Sequence, residues 1–388
     1  MDLQKRTWAE ISLGNIEHNY RVLRAHIPGG TKFLGVVKAD AYGHGAVEVS
    51  KLLETLGADY LAVSCLDEAL ELRDAGIKMP ILILGHTPPR YVPILIENDI
   101  TQTVTCEAKA IEFSDEAVKC GGTLRVHIAL DTGMSRLGFL CDRHHFADGV
   151  KNVVSAVKMP NLDAEGVFTH FAVSDEPGEE NERYTRAQFE LFTRVIEAAE
   201  SAGGFRFRIR HCANSGAVVH YPEMALDMVR PGILLYGCGD GAADLGLQPA
   251  MRLKTTVSTI KTYEAGTAVS YGRMFTTERT TRMGVLPYGY ADGFFRSLSS
   301  RCTLMSADGA VPQRGRICMD MCMVDLTDAP HVQVGDEIQI FGPENPVENL
   351  ASIAGTIPYE LLCAVSKRVP RLYLRGGKVV ERELLLRF

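Results

Sequence analysis

The features that would assign this chain to a membrane, to secretion or to nucleic acid binding are missing from its sequence. No apolar run within its 388 residues is long enough to cross a bilayer. The first ten residues, MDLQKRTWAE, lack the apolar segment of a secretory signal. Basic residues form no block, and the net charge is −7. We therefore expect a cytoplasmic protein that binds neither membranes nor nucleic acid.

The cysteine pattern excludes the common zinc and redox motifs. Ten cysteines are present, and none forms a CxxC pair. Cys318 and Cys322 are four positions apart, but no histidine or further cysteine completes a zinc set around them. In a chain without a secretion signal we expect reduced thiols and no metal site.

A regular alternation of short β-rich runs and helical patterns predicts the fold of the first 240 residues. Helix-like patterns such as Tyr184–Ala202 lie between most of the runs, and this alternation implies a parallel sheet. Eight such units in roughly 240 residues indicate a (β/α)8 TIM barrel. The predicted strands are Leu34–Lys38, Tyr60–Ser64, Ile81–Gly85, Thr101–Thr105, Leu124–Leu130, Gly166–Phe171, Phe205–His211 and Met228–Gly232.

The chain changes character after the glycine-rich segment Leu235–Gly246. From Met251 onward most runs are strand-like, and only one clear helix, Val347–Ser366, is predicted. The chain is also too long for one ordinary core. We therefore predict an α/β protein with a barrel domain over residues 1–240 and a C-terminal mainly-β domain over residues 241–388.

One lysine stands at the end of the first predicted barrel strand. Phe33–Val37 have the composition of a buried strand, and Lys38 follows directly. Burial disfavours a charged amine and lowers its pKa, and a neutral amine is the nucleophile that forms a Schiff base with a carbonyl. In isolation such a lysine is more often a solvated loop residue. The turn Tyr42–Gly45 and the other motifs of the chain decide between these interpretations.

Other polar residues also stand at or just beyond the carboxyl ends of predicted strands. Because the active sites of TIM barrels lie at the carboxyl ends of the strands, we expect these side chains to share one mouth of the barrel. They are Lys38, His86, Arg136, His170, Asn214, Ser215 and Arg230.

Distinctive strings are spread along nearly the whole chain. They are FLGVVKADAYGHGA (33–46), LDTGMSRLG (130–138), FTHFA (168–172), HCANSGA (211–217), MVRPGILLYG (228–237), VSYG (269–272), GYADGFFR (289–296), GRICMDM (315–321) and PYELLCAVSKRVPRLY (358–373). In this order and combination they resemble the alanine racemase family, whose members depend on pyridoxal 5′-phosphate (PLP).

The resemblance implies racemisation by two bases, one on each face of the substrate. Lys38, which would also bind PLP covalently, is one base, and Tyr271 is the other. Lowering the pKa of a tyrosine from about 10 by two units requires about 3 kcal/mol of phenolate stabilisation. The family places a histidine and an arginine behind this tyrosine, here His170 and Arg230. Arg230 would also face the pyridine nitrogen of PLP and, being permanently charged, leave that nitrogen unprotonated.

The remaining site residues are implied by the same resemblance. The cofactor-binding set is Lys38, Tyr42, His170, Asn214, Ser215, Arg230, Gly232, Ile233 and Tyr359. The substrate-binding set is Arg136, Tyr290, Met319 and Asp320. One position departs from the family pattern: Ala129 stands where many members carry a carbamylated lysine. Another group must therefore hold Arg136.

The resemblance further implies a homodimer in which each site combines one barrel with the second domain of the partner, and a role in supplying D-alanine for peptidoglycan. Breakdown of D-alanine would use identical residues. A racemase of serine or another small amino acid would carry the same motifs. A decarboxylase on the related scaffold would use a cysteine in place of Tyr271, and a non-catalytic PLP-binding protein generally lacks a second domain.

Overall fold

A computed structural model describes residues 5–383 of the chain. The strands are β1 Thr7–Ser12, β2 Lys32–Val36, β3 Tyr60–Val63, β4 Ile81–Ile83, β5 Ile100–Val104, β6 Leu124–Asp131, β7 Phe139–Leu140, β8 Leu162–Phe168, β9 Ile209–His211, β10 Met228–Val229, β11 Met251–Thr256, β12 Thr259–Tyr263, β13 Ala268–Val269, β14 Phe275–Thr276, β15 Thr281–Leu286, β16 Thr303–Ser306, β17 Gly309–Arg314, β18 Cys322–Asp325, β19 Glu337–Phe341, β20 Arg371–Arg375 and β21 Lys378–Glu383. The helical segments are α1 Leu13–His26, α2 Lys38–Tyr42, α3 Ala46–Leu56, α4 Leu66–Asp74, α5 Val92–Glu97, α6 Glu107–Cys120, α7 Phe146–Val157, α8 Glu179–Gly203, α9 Ser215–His220, α10 Val347–Ala354 and α11 Pro358–Cys363. Short 3-10 turns lie at Pro89–Tyr91, Pro222–Met224, Ile233–Tyr236, Tyr271–Arg273, Tyr290–Asp292 and Arg296–Leu298.

The first sheet is a nearly closed barrel of eight parallel strands. Its neighbours run in the order β10, β2, β3, β4, β5, β6, β8, β9, while the short β7 pairs with the end of β6. Backbone hydrogen bonds from Asp227 to Arg210 (3.1 Å) and from Arg230 to Ala213 (2.9 Å) bring the two ends of the sheet together. The predicted α/β barrel is confirmed, and all eight predicted strands are present.

The last two barrel strands are shorter than the sequence predicts. β9 begins at Ile209 instead of Phe205, and β10 ends at Val229 instead of Gly232. The residues that follow Val229 leave the sheet, because Pro231 has no backbone N–H to donate. Arg230 and Gly232 therefore lie beyond the sheet, on the rim of the barrel.

The helices cover the barrel with one apolar face each. In α8, Phe192, Ile196 and Ala199 are buried, and their spacing of four and three residues places them on one face of the helix. The helix ends at Gly204, whose φ of 70° places it in the left-handed region that glycine tolerates. Among residues 5–383 no helix combines the length and the hydropathy that a bilayer crossing requires.

The second sheet is mostly antiparallel and has ten strands, in the order β12, β15, β18, β17, β16, β19, β11, β1, β20, β21. The N-terminal strand β1 belongs to it, antiparallel to β11 and parallel to β20. Strand β1, which continues directly into α1, therefore ties the second sheet to the barrel. The predicted mainly-β character of this part of the chain is confirmed.

The predicted single helix Val347–Ser366 is wrong. The structure has two helices there, α10 and α11, separated by a break after Ala354. Gly355 ends the first helix with a φ of 76°, and Pro358 starts the second at a position where its missing N–H costs nothing. The kink directs α11 toward the barrel mouth, where Tyr359 and Cys363 line the cavity described next.

Candidate active site

A cavity of about 650 Å³ opens at the carboxyl ends of the barrel strands. All nine residues predicted to bind the cofactor line it, together with Arg136 and Ala129. The convergence follows from the fold, because parallel strands bring their carboxyl ends to one rim. His86 also follows a predicted strand, but it does not line the cavity.

Lys38 lies just beyond the end of β2 and lines this cavity. Burial and, to a lesser degree, the positive charge of Arg136 lower the pKa of its amine. The neutral, nucleophilic form of Lys38 is therefore more populated near neutral pH than that of an exposed lysine.

The backbone that follows Lys38 is a left-handed turn built without glycine. Residues Ala39–Tyr42 all have φ between 52° and 54°. Each L-residue in a left-handed helical turn costs roughly 1–2 kcal/mol, so neighbouring groups must hold the turn in place. The Glu68 carboxylate accepts hydrogen bonds from the N–H of Ala39 and the N–H of Ser64, both at 2.6 Å. Glu68 thus joins the turn to the end of the neighbouring strand β3.

The far end of the turn is held by a buried histidine and by the second sheet. Nδ1 of His44 lies 3.0 Å from the carbonyl oxygens of Ala41 and Tyr42, so this nitrogen carries the proton and donates. Burial lowers the pKa of His44 to about 4, which keeps its ring neutral. Arg371 of β20 donates to the carbonyl of Gly43 at 3.2 Å. Both parts of the molecule therefore fix this turn.

Arg230 carries a positive charge into the cavity although only 3% of its surface is exposed. Its Nη2 lies within hydrogen-bond distance of three acceptors, the carbonyls of Thr169 (2.9 Å) and Cys212 (3.1 Å) and Nδ1 of His170 (3.3 Å), so one of its two N–H groups is shared between two acceptors. Its Nη1 lies 3.0 Å from Nδ1 of His211. Because arginine only donates, both histidine nitrogens must accept. Burial lowers the pKa of Arg230 to about 10, which leaves the guanidinium charged at neutral pH.

His170 presents a hydrogen-bond donor to the cavity. Since its Nδ1 accepts from Arg230, the proton of the neutral ring lies on Nε2. Burial and then the charge of Arg230 lower the pKa of His170 to about 3, so the ring stays neutral. Within residues 5–383 this Nε2 has no protein acceptor.

Hydroxyl groups and one glycine form a small polar cradle in the same cavity. The hydroxyl of Ser215 accepts from the N–H of Gly232 at 2.9 Å. A Cβ on Gly232 would lie 2.5 Å from the hydroxyl oxygen of Tyr42, so a larger residue would displace that tyrosine. The rings of Tyr42 and Tyr359 lie 5.9 Å apart. Hydroxyls and backbone N–H groups of this kind bind phosphate.

Asn214 and Ile233 contribute to the cavity through local structure. The Oδ1 atom of Asn214 caps α9 by accepting from the N–H of Ala217 at 3.0 Å, and it accepts the Ser174 hydroxyl at 2.7 Å. Ile233 is 1% exposed and begins the 3-10 turn that follows Gly232. Both residues shape the backbone beside the cradle.

Arg136 lies in the loop after β6 and has no hydrogen bond or ion pair within residues 5–383. The loop itself is ordered by Asp131, whose carboxylate accepts from the N–H of Gly133 and of Ser135 at 3.0 Å each. Ala129 is 2% exposed and offers only a methyl group to the cavity. The Arg136 guanidinium is therefore available to an anionic ligand.

The four candidate residues of the second domain do not line this cavity. Tyr271 is 68% exposed in a 3-10 turn, and it borders a separate surface depression of about 630 Å³. Met319 is 54% exposed and Tyr290 is 44% exposed. Asp320 accepts a hydrogen bond from Arg368 at 2.7 Å and is half exposed. Within one chain the structure does not bring these residues together with Lys38.

Comparison with known proteins decides the family. The family model described as "Alanine racemase, N-terminal domain" matches residues 11–240, and "Alanine racemase, C-terminal domain" matches residues 250–373. The chain belongs to the alanine racemase family. This family consists of isomerases that act on alanine, and the resemblance predicted from the motifs is confirmed.

Individual members of the family match the chain over nearly its whole length. The alanine racemase of Desulfovibrio desulfuricans is 43% identical over 378 residues, covering 96% of this chain and 100% of the relative. The alanine racemase of Clostridium difficile 630 superposes with a TM-score of 0.92 at 38% identity and covers 99% of this chain and 100% of its own. A Bacillus anthracis alanine racemase with bound L-Ala-P superposes with a TM-score of 0.89 at 34% identity, covering 98% of both chains.

The residues of the cavity fit the PLP that alanine racemases use. A lysine with a lowered pKa can react with the aldehyde, and a guanidinium that stays charged can face a ring nitrogen without giving up its proton. The cradle around Gly232 has the donors that a phosphate requires and has no room for a Cβ. The cavity is thus suited to a flat, anionic aldehyde.

Sequence reasoning missed two residues that organise this alanine racemase site. Glu68 lies on α4 with no distinguishing spacing, and only the structure reveals its bonds to the turn after Lys38. His211 stands at the end of the seventh predicted strand, inside the HCANSGA motif, and its position could have marked it.

Proposed function

We propose that this chain interconverts L-alanine and D-alanine with PLP held by Lys38. The observation that carries the proposal is one cavity in which an amine of lowered pKa meets a buried guanidinium and a hydroxyl cradle. When bound, PLP supplies an electron sink that stabilises negative charge on the α-carbon of the substrate. Side chains of the protein would then remove the proton from the α-carbon and return a proton to it.

The cradle residues would bind the phosphate. Tyr42, Ser215 and Tyr359 offer hydroxyl groups, while Gly232 and Ile233 offer backbone near them. Asn214 would keep the backbone of this region in shape through its cap on α9. Burial raises the pKa of Tyr42 and of Tyr359, so both hydroxyls stay protonated and able to donate.

Arg230 would face the pyridine nitrogen. Its Nε–H and its second Nη1–H have no acceptor within residues 5–383, so two donors are free for the cavity. Because the guanidinium keeps its proton at neutral pH, it would donate a hydrogen bond without protonating the ring nitrogen. An unprotonated ring would be a weaker electron sink than a protonated one, which would favour simple proton exchange over side reactions.

Two bases would act from opposite faces of the substrate, Lys38 on one face and Tyr271 of the partner subunit on the other. In each direction one base removes the α-proton and the other returns a proton. His170 has a free Nε2–H, and donation from it to the phenolate would stabilise the ionised form of the tyrosine. Arg230 behind His170 fixes the tautomer that makes this donation possible.

The second base would come from a second copy of the chain. Tyr271, Tyr290 and Met319 are large side chains that a monomer leaves exposed. A homodimer that places the second domain of one chain over the barrel mouth of the other would cover them. In that arrangement Met319, Asp320 and Tyr290 would border the substrate opposite Arg136, whose free guanidinium would bind the substrate carboxylate or the cofactor's phenolic oxygen.

The role in the cell and the domain limits complete the proposal. We propose that the enzyme acts in the cytoplasm and supplies D-alanine for peptidoglycan, which agrees with its similarity to bacterial alanine racemases. The proposed domains are residues 1–240 and 241–388, of which 1–4 and 384–388 lie outside the described residues. The family matches, 11–240 and 250–373, support a boundary near residue 240. The pairing of β1 with β11 and β20 means that the first domain contributes one strand to the second.

The decisive experiment is incubation of the PLP-loaded protein with L-alanine in deuterium oxide. We expect D-alanine to form with deuterium at the α-carbon and without release of carbon dioxide, since both bases exchange protons with solvent. Loss of carbon dioxide would indicate a decarboxylase, and deuterium in neither enantiomer would indicate a binding protein. L-serine under the same conditions tests the alternative substrate, and a higher kcat/KM for serine would contradict the assignment to alanine.

A further inference from the structure

Buried polar side chains cross the interior of the barrel, where branched apolar residues usually form the layers. His127 and His211 are both fully buried. The Nε2 of His211 lies 2.8 Å from Nδ1 of His127, and the Nδ1 of His211 lies 3.0 Å from Arg230. Nε2 of His127 lies 3.4 Å from the Glu165 carboxylate, which also accepts the Tyr60 hydroxyl at 2.7 Å. One continuous chain of hydrogen bonds thus joins the cavity to the amino ends of the strands.

Strands β6 and β8 depart from regular geometry in two ways that accommodate this chain of hydrogen bonds. The register of β6 and β8 shifts between Val126 and His127, which leaves Glu165 as the extra residue of a β-bulge. A bulge re-aims a side chain that the regular alternation would turn the other way. The next residue, Gly166, has no side chain, and a Cβ there would lie 2.6 Å from Cε1 of His127. Both features make room for the imidazole and bring a carboxylate to it.

Arg230 and Glu165, at the two ends of the hydrogen-bond chain, fix the direction of every hydrogen bond between them. Arginine only donates, and an ionised carboxylate only accepts. Although burial opposes it, hydrogen bonds from His127 and Tyr60 lower the pKa of Glu165 to about 2, so this end is ionised at neutral pH. His211 must therefore accept at Nδ1 and donate from Nε2, and His127 must do the same. Burial lowers the pKa of both histidines, in agreement with two neutral rings.

Arg230 requires such a partner because its charge is buried. Within residues 5–383 it forms no ion pair with a carboxylate, and an uncompensated buried charge is strongly unfavourable. Glu165 is the carboxylate to which the hydrogen-bond chain leads. Arg125 and Arg208 approach Glu165 only at 3.9 and 4.0 Å, so its hydrogen bonds point inward to His127 and Tyr60. Hydrogen bonds in series polarise one another and carry the influence of a charge along the chain.

We propose that His211, His127 and Glu165 are positioning residues that hold Arg230 in one orientation and balance its charge from the opposite end of the barrel core. The inference rests on the proposed function only in placing Arg230 beside the cofactor. The arrangement keeps the guanidinium protonated and its two free N–H groups directed at the cavity. Through this arrangement Glu165, toward the amino ends of the strands, influences the charge and orientation of Arg230 at their carboxyl ends.

The first test measures the histidine tautomers directly. Side-chain 15N spectra of the full chain, labelled at histidine and recorded with and without PLP, distinguish the Nε2–H tautomer, the Nδ1–H tautomer and the imidazolium. Single His→Gln variants assign the signals. We expect His127 and His211 as neutral Nε2–H rings from pH 5.5 to 8.5 in both samples. A protonated ring or an Nδ1–H tautomer at either position overturns the proposal, whether or not the protein racemises alanine.

The second test compares two variants of the same carboxylate cluster in the PLP-loaded enzyme. Glu165→Gln keeps the shape but removes the charge, and its amide can present either a donor or an acceptor to His127. We expect mixed tautomers in the 15N spectra, a shifted absorption band of bound PLP, and a fall in kcat of about tenfold with KM within about twofold. Tyr60→Phe removes the hydroxyl that donates to Glu165 and leaves the hydrogen bonds from Arg230 through the two histidines to Glu165 in place. The tautomers, the absorption band and kcat should therefore stay near wild type.

The proposal fails if Glu165→Gln and Tyr60→Phe give the same tautomers, absorption band and kcat. If the wild-type enzyme does not act on alanine, the proposed function fails on its own. The tautomers of His127 and His211 in the unloaded chain then still decide the inference.

Discussion

The two halves of the proposed site differ in how completely one chain builds them. In the barrel, Arg230 is 3% exposed and bonded to two carbonyls and two histidines, and the turn after Lys38 is held from both sides. In the second domain, Tyr271 is 68% exposed and Met319 is 54% exposed. The barrel half has its charges and tautomers set within one chain. The second half is presented outward, and in the proposed homodimer it would become part of a site only through association.

The two halves therefore differ in kind: the charges and hydrogen-bond donors of the barrel are fixed within one chain, whereas the residues of the second domain depend on assembly with another chain. A cavity whose donors and charges are fixed in advance does not need to reorganise when charge develops on the substrate. In the proposed homodimer the outward half would supply the second base. Changes in the barrel should then alter chemistry and cofactor binding, whereas changes around Tyr271 should act through a neighbouring subunit.

The largest effect is expected from Lys38→Ala, which removes the amine on which the barrel half is centred. Racemisation should fall by about 10³-fold or more, because a covalent anchor and a base are lost together. The absorption band of covalently bound PLP should disappear. Lys32→Ala, at the start of the strand that Lys38 follows, is half exposed and 3.9 Å from Asp59; it is the matched control and should keep both properties. Turnover that survives in Lys38→Ala would refute the assignment of the barrel half.

Tyr271→Phe should lower kcat by about 10²–10³-fold while PLP stays bound, since only a proton-transfer group is removed. Tyr263 borders the same surface depression, so Tyr263→Phe serves as the control, with near wild-type turnover expected.

The comparison becomes sharper when Lys38→Ala and Tyr271→Phe chains are mixed. Random dimers would regain about a quarter of the wild-type activity, because half of them carry one intact site. No recovery in verified mixed dimers would place both halves within a single chain.

The sequence could place the residues of the barrel half in one cavity for a physical reason. Buried strands read as apolar runs, and polar residues at the ends of these runs lie on the rim of the barrel, so Lys38, His170 and Arg230 were expected at one mouth, and they line one cavity. Side chains that act through backbone atoms leave no such pattern. Glu68 is one acidic residue among several on α4. Its role depends on the left-handed turn after Lys38, which the residue pattern does not predict.

The second half could be named from motifs but not positioned. VSYG reads as part of a strand, yet the strand ends at Val269 and Tyr271 lies in a 3-10 turn. Ser270 has a φ of 65°, and its hydroxyl donates to the carbonyl of Arg316, which turns the chain outward. The helix predicted over Val347–Ser366 is a different case, because Gly355 and Pro358 are local signals for the break that the structure shows there. For Tyr271 the contact between Ser270 and a distant segment decides the position, and local patterns do not record it.

Acid should destabilise the barrel half first. Of the eleven histidines in the sequence, His44, His127 and His211 are fully buried and His170 lines the cavity, and the pKa of each is lowered by burial. The unfolded chain binds these protons below about pH 6.5 and the folded chain does not, so stability falls as pH falls.

Each such histidine contributes about 1.4 kcal/mol of lost stability per pH unit below 6.5. For His170 the loss should continue to about pH 3, the value to which its pKa is lowered. Urea unfolding of the unloaded chain between pH 7 and pH 5 measures the slope. His170→Gln should reduce it by one proton, and the exposed His144→Gln should not. A free energy of unfolding independent of pH over this range would contradict the neutral, buried state of these rings.

The smallest effect is expected from Glu68→Gln, which weakens the clamp on the turn after Lys38. The carboxylate accepts two backbone N–H bonds at 2.6 Å, and an amide offers one oxygen in place of two. Losing one charge-assisted hydrogen bond, worth about 1.5–3 kcal/mol, should slow PLP loading and lower kcat about tenfold. Glu71→Gln lies on the exposed face of the same helix and controls for the lost charge. In a mixed dimer the intact site takes its barrel from the Tyr271→Phe chain and only Tyr271 from the Glu68→Gln chain, so the variant should restore activity to Tyr271→Phe chains at least as fully as Lys38→Ala chains do. Failure to do so would mean that the two halves of the site are coupled within one chain.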